Sequence, residues 1–227
     1  MTAWTCLGLG VIGVLWFAYP TDNWPRDHVR WIVRATIGFV LPALAGLAIL
    51  GRWDALWVLP PEFAPISALL PRLDPADIGP AMALGLPFGI AIVWGRIRWL
   101  RHRGRPLPIS MVVPAPLAAR NRAMIWPALV TALVAGWAEE IAFRLFLPLT
   151  ATLAMGSAWA GFILATAAFV FLHRYQSWFG RIGVLLTAIV LTALYLATGA
   201  LWFVIALHAT IDVIALAVRP WLAGFRR

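Results

Sequence analysis

Six ionisable side chains stand in apolar sequence in the C-terminal half of this chain: Glu139, Glu140, Arg144, His173, His208 and Asp212. Their surroundings are apolar enough to enter a membrane, where each charge costs roughly 2.5–3.5 kcal/mol on insertion scales, so each is a functional candidate by default. Four of them form i,i+4 pairs, which lie on one helix face. Glu140 precedes Arg144 by four, the favourable order, and in low dielectric either charge left alone would be several kcal/mol worse off. Glu139 points about 100° away round the helix and cannot share that partner well. Spacing thus assigns Glu140 and Arg144 to a structural ion pair and leaves Glu139 as the free carboxylate, suited to general-base work.

Phe169 and His173 share a face near the end of the following apolar run, and His208 and Asp212 share one on the last. A lone buried histidine is more often a hydrogen-bonded core group than a catalyst. Two histidines and two uncommitted acids on separate helices of one bundle are different. They need one another's company, and together they make a polar cavity that admits water.

The elements that must position these residues follow from the solvent. Of 227 residues, 63% are hydrophobic and only 12% charged, with a mean hydropathy of +0.87. A soluble domain keeps roughly a quarter of its residues charged. Here the apolar residues come in runs of about twenty, the length that crosses a hydrocarbon core. The fold class is therefore all-α, a polytopic transmembrane helical bundle of seven to eight spans in a single domain over 1–227. Expected spans are 3–19, 31–50, 79–95, 124–149, 154–173, 182–198 and 199–218. Only Met1 and Thr2 precede the first run, which reads as a retained helix rather than a cleaved signal peptide. The stretch 51–78 carries Pro60, Pro61, Pro65, Pro71 and Pro75, which suits an interfacial or re-entrant segment with room for an eighth short helix. The lone Cys6 excludes an internal disulfide.

The net charge of +9 comes entirely from arginine. In an apolar chain this balance argues for topology, not nucleic acid. With the basic loop 96–122 in the cytoplasm, 15 of the 18 arginines fall inside. They include Arg26, Arg30 and Arg34, then Arg174 and Arg181, then Arg219, Arg226 and Arg227. The N-terminus is then outside and the C-terminus inside the cytoplasmic (inner) membrane of a bacterium. One tension remains in depth. Glu139 falls past the middle of its span while His173 ends its own, and a later start to the fourth span, after Pro127, would bring them closer.

In order, Glu139-Glu140-x-x-x-Arg144, Phe169-x-x-x-His173 and His208-x-x-x-Asp212 resemble the three motifs of the CPBP intramembrane proteases, named for CAAX proteases and bacteriocin-processing enzymes. Phe143 and the run from Tyr195 to Trp202 are also similar. The likeness covers about residues 125–215, and 123–218 would be the catalytic core behind N-terminal helices 1–122. The resemblance implies peptide hydrolysis in or beside the membrane, on a peptide or membrane-protein substrate. Glu139 and His173 would polarise a water, and His208 with the residue four later would hold the oxyanion.

That last position departs from the family, where Asn is common. An ionised Asp212 would repel an oxyanion. Either it is protonated, or it orients His208, or the site binds a metal, since Glu139, His173, His208 and Asp212 could ligate zinc. No His-Glu-x-x-His, Gly-x-Ser-x-Gly or Gly-x-Gly-Asp is present, and Ser157, the one serine open to a rhomboid-like dyad, has a helix-packing context. The alternatives from other classes are a non-catalytic membrane scaffold or immunity-type protein of the same fold, and a proton-coupled transporter.

Overall fold

Apolar backbone cut off from water must satisfy its own hydrogen bonds, and this chain does so with helices. The computed structural model describes residues 1–19, 27–105 and 117–225. Arg26, Arg226, Arg227 and the centre of loop 96–122 lie outside the described residues. A helix stands at each expected apolar segment: α1 (Thr2–Ala18), α2 (His28–Leu50), α3 (Pro75–His102), α4 (residues 125–155), α5 (Ala158–Leu172), α6 (Trp178–Thr198) and α7 (Leu201–Leu222). Among the described residues no strand occurs, and α2, α6 and α7 are long and apolar enough to cross a membrane.

Several boundaries differ from expectation for local reasons. The Asp74 carboxylate caps α3 by accepting from the Ala76 N–H at 2.8 Å, with Pro75 at a position that needs no donor. The helix then runs through Arg96, Arg98 and Arg101, so the first basic residues are helical rather than in a loop. Between Leu50 and Pro75 the largest α-helical piece is the single turn Ala64–Ser67, so no eighth spanning helix arises there. Ser157 caps α5 through Ala160 N–H, and the Gly156 before it adopts the left-handed φ of +72° that ends α4.

Among the described residues, three helices widen into a π-helical turn, at Thr36–Val40, Ile141–Phe146 and Ile214–Val218. Each turn lies just ahead of a proline: Pro42, Pro148 and Pro220. A proline lacks the N–H, and its ring crowds the carbonyl four residues back. Widening the preceding turn relieves that contact. Two of the freed carbonyls are used elsewhere. Leu216 O accepts from the Ala119 N–H at 2.9 Å, and Gly38 O lies so close to Gly13 that a β-carbon there would stand 2.1 Å from it.

Among the described residues, packing gathers two large apolar clusters toward opposite ends of the bundle, and a small third at Ile97, Leu100 and Ala223. One gathers Phe17, Trp31, Phe39, Phe143, Phe169 and Leu216. The other gathers Phe63, Phe146, Leu149, Phe162, Tyr195 and Leu201 beneath the proline-rich stretch. Arginines tie the first end together. Arg34 donates to the carbonyls of Trp16, Phe17 and Tyr19 at 2.6, 2.9 and 3.1 Å, and Arg174 donates to Ala18 O at 2.7 Å. Both complement the negative end of α1. Arg101 reaches Ala223 O beyond α7. On the second end, Arg52 pairs with Glu62.

Candidate active site

The register of one hairpin sets the depth of the site. α4 and α5 pack antiparallel about Gly156. Glu139 stands 17 residues before Gly156 and His173 stands 17 after it, so the two meet at the same level. The later start expected after Pro127 does not occur, because α4 already begins at Ile125. Instead α4 is long and α5 is short, ending at Leu172 with His173 as its cap.

From the other side, α7 comes close because α4 carries Gly136. A β-carbon at this position would stand 2.7 Å from the Ala209 nitrogen. That approach brings His208 between the two glutamates. Its Nδ1 lies 2.5 Å from Glu140 Oε1, and its Nε2 lies 3.7 Å from both Glu139 Oε2 and Asp212 Oδ2. Arg144 Nη1 is 3.1 Å from the same Glu140 oxygen, with its guanidinium 4.6 Å over the Phe169 ring. Sequence spacing foretold the Arg144 partner of Glu140. It did not foretell His208, a contact 68 residues away in the chain.

The two histidines are fixed by different groups. His173 Nδ1 lies 2.8 Å from Phe169 O. A carbonyl only accepts, so Nδ1 carries the hydrogen and Nε2 presents its lone pair. His208 donates from Nδ1 to the Glu140 carboxylate, which leaves its Nε2 directed at Glu139 and Asp212. Phe169 joins the arrangement, with its ring 4.6 Å from that of His173 and 6.3 Å from that of His208.

These groups line one cavity of about 100 Å³, room for a few water molecules. Glu139, His173, His208 and Asp212 all reach it, whereas Glu140 and Arg144 stand behind its wall. Phe17, Trp31, Leu117 and Leu216, from the arginine-tied end, also line it. Sequence reasoning missed further polar lining residues, among them Tyr175 and Gln176. Their one signal was position, two and three residues after His173 in the connection to α6. Among the described residues no three His, Cys, Asp or Glu side chains converge as a metal-holding group.

Residues 121–214 match the family described as type II CAAX prenyl endopeptidase Rce1-like. That match spans 94 of the 227 residues, supports the likeness of this segment to the CPBP/CAAX proteases, and suggests a protease of the CAAX intramembrane type in general. The family and the apolar helices together indicate a membrane protein. No curated protein and no solved structure matches the chain.

Proposed function

We propose that the chain is an intramembrane endopeptidase in which Glu139 activates water. One observation carries this reading: the level meeting of Glu139, His173, His208 and Asp212 on a cavity of water-sized capacity. A water held between the Glu139 carboxylate and His173 Nε2 attacks the scissile carbonyl carbon. Glu139 takes its proton and delivers it to the leaving nitrogen as the C–N bond breaks. His208, ringed by three carboxyl groups, presents Nε2–H to the developing oxyanion. In this mechanism Asp212 does not touch the oxyanion. It holds His208 as a donor, which removes the conflict its charge would otherwise create.

The bundle is proposed as one membrane-embedded domain with its seven helices spanning, the N-terminus outside and the arginine-tied end in the cytoplasm. α5 has 15 residues and extends about 22 Å at 1.5 Å per residue. This is less than a hydrocarbon core of about 30 Å. Its short end therefore leaves His173 below the headgroups, with the cavity as a water-filled dent in the cytoplasmic face. The substrate class is a peptide bond presented at that face, such as the C-terminus of a lipidated protein.

The test is Glu139→Gln in the purified full chain. Cleavage of a farnesylated CAAX reporter peptide should fall about 10²–10⁴-fold with the melting temperature unchanged. Full activity in that variant removes Glu139 from the chemistry. Comparing peptide termini in membranes of wild-type and variant cells would reveal the natural substrate as the species that accumulates uncut.

A further inference from the structure

Among the groups that line the cavity, one is neither an acid nor an imidazole: the amide of Gln176, which is hydrogen-bonded to Tyr175 but keeps its oxygen unused. Gln176 Oε1 is buried and accepts no hydrogen bond, yet its residue lines the same cavity as Glu139 and His173. Its backbone is locked to the site, because the Gln176 N–H donates to His173 O at 2.9 Å and closes a turn. The Tyr175 ring, 5.7 Å from that of His173, packs the same turn. A buried acceptor without a donor costs about 1–3 kcal/mol, and native proteins leave few.

We propose that Gln176 is a substrate-binding residue whose side-chain carbonyl accepts a backbone N–H of the bound peptide beside the scissile bond. The inference rests on the peptidase reading and adds to it a peptide backbone recognised independently of side-chain sequence. The site's other acceptors are unsuited to this task. Glu139 must receive a proton from water, and Asp212 is held against His208. A neutral amide oxygen can bind an N–H in the ground state without competing for the transferred proton. Such a bond is made equally in ground and transition states, so its loss raises KM and leaves kcat in place.

The experiment measures steady-state cleavage of a farnesylated CAAX reporter peptide by the detergent-purified full chain, with each backbone amide N-methylated in turn. In wild type, one N-methylation should raise KM about 5–10-fold, the worth of one neutral hydrogen bond. In Gln176→Met, which keeps length and removes the acceptor, KM for the unmodified peptide should rise by the same factor with kcat within twofold. The same N-methylation should then add nothing. Gln176→Glu, which restores an acceptor, should recover most of the KM. An unchanged KM in Gln176→Met, or an N-methyl penalty that persists in it, overturns the inference while wild-type turnover leaves the peptidase reading standing. Failure of wild type to cleave the peptide refutes the CAAX-peptide reading itself, and the inference with it.

Discussion

The arginines of α3 and the one arginine of α4 show what a local partner does to a charge. Arg96, Arg98 and Arg101 end α3 exposed, where Arg98 lies over the Trp94 ring at 4.9 Å. Arg144 is only 1% exposed in the middle of α4. The difference was written four residues upstream, where α4 has Glu140 and α3 has Ile92, Trp94 and Ile97 as the residues four earlier. An arginine without a carboxylate one turn away stays at the surface. An accompanied one can be buried, and its partner can then be shared with a third group. In α4 that third group is His208.

The sharpest break of this contrast is Glu140→Gln. It strips Arg144 of its carboxylate and His208 of its acceptor, and removing one partner of a buried pair destabilises by about 3–5 kcal/mol. Thermal unfolding in detergent should show the loss, together with reduced yield. The double variant Glu140→Gln/Arg144→Met removes the orphaned charge and should recover most of the stability. It should remain poorly active, because His208 still lacks its anionic partner. Recovery of full turnover would reduce Glu140 to a purely structural role.

Next in size is Asp212. Asp212→Leu should lower kcat about 10²-fold by releasing His208, in line with loss of one oxyanion donor. Asp212→Asn, which supplies the amide common in related motifs, should stay within about tenfold of wild type. Metal rescue of the Leu variant, or equal loss in both, would contradict the positioning role. The smallest effect is expected from Arg96→Gln/Arg98→Gln. Exposed substitutions of this kind stay within about 0.5 kcal/mol, so the melting temperature should hold. A reporter fused to the C-terminus should instead reveal a fraction of inverted chains, since orientation is what these charges supply.

Much of the fold and the candidate site was legible in the sequence because charge in apolar sequence is costly and helices repeat locally. Glu140 with Arg144, Phe169 with His173, and His208 with Asp212 are pairs within one helix, so spacing alone exposed them. Contacts between helices were not legible. The Glu140–His208 bond depends on how closely α7 approaches Gly136, and nothing in either segment states that distance. Gln176 escaped notice for the opposite reason, because a glutamine in a connecting turn violates no rule of composition. The expected depth mismatch failed on a length: α5 was taken to reach further toward its turn than the Ser157 cap allows.

That equal-armed hairpin has one more consequence. Glu139 and His173 are counted from the same turn at Gly156, not from either surface of the lipid. If the surrounding bilayer thickens or thins, the helices can tilt or shift and both groups travel together. The Glu139–His173 pair thus carries its own ruler, and the change that would misalign it is a residue gained or lost in a single arm, which displaces one group by about 1.5 Å against the other.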